Sequence, residues 1–311
     1  MTKMLYGTGV ALWLSMALLA GCGQGATSEP TTTPIMTPQS AGPLNVAVSI
    51  LPQKYFVERV GGERVDVNVM VEPGDNPATY EPRPEQLAAL SETQVYFSIG
   101  VPFEDAWLDK IAAANDEMSV VDTSKGIKRI PVDAHYKVKL GGRPHSDTEG
   151  RDPHIWLSPE LVKIQSKTIY ATLAALDPAN EAEYRVNLDS FIADIDQLES
   201  DIKETLKGIP SHKFMVFHPA WGYFGDNFEL EMIPIEVGGQ EPSAAELADL
   251  MATAEAEDIQ VIFAQPEFST RDAETIADEI GGEVLLISPL APDWLANMRH
   301  VASAFAEALG Q

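Results

Sequence analysis

Between residues 158 and 207 the chain has no strand pattern, and this gap divides a sequence that otherwise alternates between strand and helix signals. From Pro178 to about Lys207, the residues Tyr184, Leu188, Phe191, Ile195, Leu198, Ile202 and Leu206 recur every three or four positions. That spacing predicts one continuous amphipathic helix, about 45 Å long at 1.5 Å per residue. Ser158 before Pro159 has the form of an N-cap with proline at the first helical position, and Asp177 before Pro178 repeats it. A helix of that length between two domains is a rigid spine, which limits hinge motion between them.

On either side, short apolar runs alternate with helical periods. Strands are expected at 44–50, 65–71, 95–100 and 118–122 in the first half, and at 213–218, 232–237, 259–264 and 283–288 in the second. Helical stretches lie between them, among them "RPEQLAALSE", "EDAWLDKIAAAN", "SAAELADLMATAEAED" and "TRDAETIADEIGG". Each half therefore reads as a small parallel α/β lobe, giving two such lobes joined by one long helix.

The N-terminus carries a different signal. Lys3 precedes the apolar run "VALWLSMALLA" at 10–20, which is too short for a permanent membrane span, and "LAGC" follows. This is similar to a bacterial lipoprotein signal, in which the cysteine, here Cys22, takes the lipid and becomes the first residue. Cys22 is the chain's one cysteine, so no intramolecular disulfide is possible. Residues 23–43 are rich in Thr, Pro, Ser and Gly and suit a flexible tether. The expected organisation is a signal peptide at 1–21, a lipid-anchored linker at 22–43, a first lobe at 44–157, a helical segment at 158–210 and a second lobe at 211–311.

The formal charge is −26, and removing residues 1–21 takes away Lys3 and no acid. Such a charge argues against nucleic acid, whose phosphates need Lys and Arg, and suits cations or simple solubility. Residues 131–153 form a polar insertion with His135, His145, Asp147, Glu149 and Asp152, which reads as a solvated loop.

In open α/β sheets, ligands bind beyond the carboxyl ends of the strands. His218 follows "KFMVF", Ser288 follows "EVLLI", and His154, in "DPHIWLSP", stands where the first lobe meets the helical segment. In a two-lobed fold these three can converge on one cleft. Two imidazoles suit zinc, and manganese, iron or copper less specifically, but do not complete a site. Either histidine alone also fits a hydrogen-bonded turn. Tyr80, Trp156, Trp221, Tyr223 and Trp294 lie near these positions in sequence, as lobe-packing residues or as pocket lining. The chain contains no H-E-x-x-H, no G-x-S-x-G and no phosphate-binding glycine loop, which argues against an enzyme.

The segments "VEPGDNPATYEPRPEQLAAL", "DPHIWLSPE", "FMVFHPAWGYF", "EVGGQEPSAAELADL", "VIFAQPEFSTRDAETIADEIG" and "ISPLAPDWLANM" resemble the metal-binding lipoproteins of bacterial and archaeal ABC importers for zinc and manganese. The likeness runs from about Leu44 to Leu309. It implies two four-stranded lobes, a metal held between them, delivery to a permease and its ATPase, and a monomer outside the cytoplasm held to the membrane by its lipid. The family's usual ligands are three histidines with a carboxylate or water. The second and third match His154 and His218; the first falls on Ala78 and the carboxylate on Ser288. Glu72, Glu81 or Asp293 are candidate replacements. Zinc is the expected ligand, with manganese or another divalent ion possible. The alternatives are a metal chelate or other small solute in the same importer role, or a surface adhesin or accessory protein without transport function.

Overall fold

The computed structural model describes residues 42–131, 151–236, 240–268 and 270–310. The signal, Cys22, the linker, His135, His145, Asp147 and Glu149 lie outside the described residues. All eight expected strands are present; six end two or three residues before their apolar runs do, while those at Ser119–Asp122 and Val261–Ala264 end where expected and start later. In the first lobe β1 (Leu44–Val48), β2 (Val65–Val69), β3 (Val95–Ser98) and β4 (Ser119–Asp122) form a parallel sheet in the order β2-β1-β3-β4. Helices α1 (Leu51–Gly61), α2 (Pro84–Ala89) and α3 (Pro102–Ala113) make the crossovers.

The second lobe repeats the plan. β5 (Lys213–Val216), β6 (Glu231–Pro234), β7 (Val261–Ala264) and β8 (Glu283–Leu286) pair in parallel in the order β6-β5-β7-β8. They are connected by α6 (Gly222–Phe228), α7 (Ala244–Ala256) and α8 (Arg271–Ile280). Strand order reverses between β1 and β3 in one sheet and between β5 and β7 in the other, so each lobe has one switch point where a crevice can open.

Helix α4 (Pro159–Leu176) starts as its sequence requires, with the Ser158 hydroxyl accepting the Leu161 amide at 3.3 Å. Asp177 departs from the expected repeat of that cap. Its carboxylate accepts from the Tyr184 hydroxyl at 2.9 Å and the Asn180 amide at 2.6 Å, and a short 3-10 turn at Pro178–Asn180 precedes the helix proper. Helix α5 (Glu181–Thr205) therefore has 25 residues, about 37 Å rather than the expected 45. Its buried stripe is the expected one from Tyr184 to Ile202, with Leu206 buried just beyond its end.

That stripe joins the lobes. Phe191 packs against Tyr55 and Phe56 of α1 with ring centroids 6.0 Å apart in each case, and against Trp294 of α9 (Trp294–Leu309) at 6.5 Å. Phe56 and Trp294 also meet directly, edge to face, at 5.3 Å. One continuous apolar core thus runs from the first sheet through α5 into the inner face of the second, and a smaller cluster fills the outer face of the second lobe under α7 and α8. Among the described residues no helix is long and apolar enough to cross a membrane.

Phe191→Ala should cost about 3–5 kcal/mol in a urea melt, the usual penalty for emptying an aromatic core position. Val186→Ala, on the face of α5 where Val186 is 67% exposed, should stay within about 0.5 kcal/mol.

Candidate metal centre

The backbone of β5 ends at Val216, and pairing continues for one more residue through the Phe217 amide to the Phe263 carbonyl. His218 comes next, at the switch point of the second sheet. Gln265, just past β7 and fully buried, clamps it. The Gln265 side-chain oxygen accepts the His218 amide at 3.1 Å, and its side-chain nitrogen donates to the His218 carbonyl at 2.9 Å. Phe268 stacks flat on the imidazole, with centroids 4.3 Å apart and planes at 18°. Glu236, past the end of β6, accepts from the ring's Nδ1 at 2.5 Å.

His154 is placed by the segment between the first lobe and α4. A 3-10 turn at Ile155–Leu157 buries all three of its side chains. The Trp156 indole donates to the Pro289 carbonyl at 2.7 Å, and the Trp294 indole donates to the Trp156 carbonyl at 2.7 Å. Tyr223 of α6 donates to the Asp152 carbonyl and accepts from the Ile130 amide, both at 3.2 Å. Burial and these surroundings push its phenol up to about 12, so it stays protonated and able to donate. These bonds pin the "DPHIWL" segment to the second lobe.

Asp152 was expected in a solvated loop, and that reading is wrong for this residue. It is fully buried and belongs to the site: one oxygen accepts both the His154 amide at 2.9 Å and the His154 Nδ1 at 2.6 Å. The proline between them holds the turn that brings these groups together.

The two imidazoles meet. Their Nε2 atoms are 3.3 Å apart and the rings stand at 77° to each other. Each Nδ1 faces a carboxylate oxygen, which can only accept, so each Nδ1 keeps its proton and each Nε2 presents a lone pair. Two lone pairs aimed at one point repel unless a cation or a proton lies between them. Two nitrogens bound to one zinc at 2.0–2.1 Å with a tetrahedral angle are about 3.3–3.4 Å apart, so the observed separation fits a shared metal. Burial holds the His218 imidazole below its ordinary pKa, against the opposing pull of Glu236, and nearby His154 lowers it further. His218 is therefore neutral, and able to bind metal, at pH 7.

No other acid or histidine completes the pair directly: among the described residues, no three His, Cys, Asp or Glu side chains cluster closely enough to hold a metal. Ala78 is exposed in a turn after β2, its amide bonded to Asn76 at 2.8 Å. Ser288 donates to Glu267 at 2.7 Å and accepts the Leu290 amide at 3.1 Å. Glu72 pairs with Arg83 at 3.1 Å, Glu81 is exposed, and Asp293 caps α9 through the Ala296 amide at 3.1 Å. Of the aromatic residues near the candidate positions, Trp156 packs edge-on against His154 at 5.2 Å. Tyr80 packs on Phe103, and Trp221 on Phe224 and Phe305. At the first lobe's own switch point, the buried Glu104 takes the Ile99 and Gly100 amides and the Ser49 hydroxyl.

Glu236, Gln265 and Phe268 are the site residues that sequence reasoning missed. Glu236 was legible by the rule that picked out His218, being a polar residue directly after an apolar strand run.

Residues 46–308 match the family model described as "Zinc-uptake complex component A periplasmic". The chain belongs to this family. It is one of uptake components rather than enzymes. A solved ZnuA with residues 138–173 deleted and zinc bound is 45% identical, with a TM-score of 0.79, covering 86% of this chain and 99% of that one. The high-affinity zinc uptake system protein ZnuA of Bacillus subtilis is 26% identical over 277 residues, 88% of this chain and 85% of the relative. The manganese-binding lipoprotein MntA of Halalkalibacterium halodurans is 24% identical over 307 residues, 94% of this chain and 95% of the relative. Family membership agrees with the resemblance of the motifs and with the two-lobed fold.

In the zinc-loaded protein at pH 8, nitrogen-15 NMR of the imidazoles should find both His154 and His218 protonated at Nδ1 and metal-bound at Nε2. An Nε2–H tautomer on both rings would contradict the orienting role of Asp152 and Glu236.

Proposed function

We propose that this chain is the extracytoplasmic solute-binding lipoprotein of an ABC importer and carries a divalent metal ion, zinc foremost, between its lobes. The observation that carries this reading is the pair of Nε2 atoms at 3.3 Å, each ring aligned by its own carboxylate. His154 and His218 are the two protein ligands, and Asp152 and Glu236 orient them. The zinc-bound relative and the zinc uptake protein of Bacillus subtilis support zinc; the manganese-binding relative keeps manganese as the second candidate. We assign residues 1–21 as the signal, Cys22 as the lipid site and residues 23–43 as the leash, in keeping with relatives named as lipoproteins. A permease and its ATPase are the partners that receive the metal.

His154→Ala and His218→Ala should each abolish tight zinc binding in a chelator competition assay while far-ultraviolet dichroism stays unchanged. Asp152→Asn or Glu236→Gln should weaken it about 10- to 100-fold. Affinity should fall as pH drops below about 6, where protons compete for the imidazoles. Wild-type affinity in both alanine variants, or a flat profile between pH 5 and 8, would remove the assignment.

A further inference from the structure

We propose that Glu267 supplies the acidic ligand of the metal centre in this chain. The inference rests on the reading of His154 and His218 as ligands. Two imidazoles leave a tetrahedral ion two donors short, and the residues nearest those rings are already committed. Asp152 and Glu236 are spent on the Nδ1 atoms, and Gln265 on the His218 backbone.

Glu267 stands differently. It lies beyond the end of β7, one residue before Phe268, whose ring covers His218. Ser288 lies beyond the end of the neighbouring strand β8, next to Pro289, whose carbonyl holds Trp156 against His154. The Ser288 hydroxyl donates to Glu267 Oε1 at 2.7 Å, joining the two strand ends. Glu267 Oε2 is buried and has no hydrogen-bond partner among the described residues. An anionic oxygen removed from water without a donor is costly, and its usual remedy is a cation. Ser288 has no hydrogen left to offer, and its oxygen already takes the Leu290 amide. The serine thus acts as a holder for the carboxylate. A rotation about the glutamate side chain brings Oε2 to the ion when the metal arrives. A hard carboxylate oxygen beside two nitrogens suits zinc and also manganese.

The test uses the purified protein, zinc and cobalt(II) alone as probes, and four forms: wild type, Glu267→Gln, Ser288→Ala and His154→Ala. Glu267→Gln keeps the size of the side chain and an acceptor for Ser288, so the unfolding temperature of the metal-free protein should stay put. Its zinc affinity should fall about 100-fold or more, beyond the 10- to 100-fold expected from losing an orienting group. The visible spectrum of its cobalt form should shift as an oxygen ligand is lost. Ser288→Ala, which keeps the carboxylate, should stay within about tenfold of wild type with a wild-type cobalt spectrum. Tight zinc binding lost in His154→Ala but untouched in Glu267→Gln, with an unshifted cobalt spectrum, overturns the role of Glu267 and leaves the histidine assignment standing. No zinc binding by the wild type overturns both.

Discussion

The packing of Phe56, Phe191 and Trp294 into one aromatic knot is the constraint on which the rest depends. These rings come from the first lobe, the long helix and the last helix. All three are almost completely buried. Separating the lobes would expose them together, so a wide hinge opening would cost several kcal/mol of apolar burial before any polar bond was counted. Around the knot, Trp294 holds the Trp156 carbonyl, and Trp156 in turn holds Pro289. The lobe interface is therefore built from the same residues that locate His154.

This coupling gives the site its character. His218 is fixed by its own lobe, through Gln265, Glu236 and Phe268. His154 is fixed by bonds that cross to the second lobe. The fold thus brings the two Nε2 atoms to 3.3 Å from elements anchored on both lobes.

Much of the fold was legible because it is written in local periodicity. The eight apolar runs, the strandless middle and the stripe from Tyr184 to Ile202 follow from periods of two and 3.6. The errors fell where side chains chose partners beyond their neighbours. Asp177 was expected to cap the helix after it and instead bonds Tyr184 and Asn180, because a 3-10 turn intervenes. Asp152 looked like part of a polar loop because its neighbours in sequence are polar; it is buried, with Tyr223 of the second lobe bonded to its carbonyl. His154 and His218 were readable from their positions at element ends. Glu236 meets His218 across 18 residues, and only the parallel pairing of β5 with β6 brings them together.

The most direct test of the central claim is anomalous diffraction at the zinc edge from crystals of the zinc-loaded protein. The account predicts one peak lying about 2.0–2.2 Å from both the His154 and the His218 Nε2 atoms. A peak bound elsewhere, or bound to one histidine with the other turned away, would contradict it.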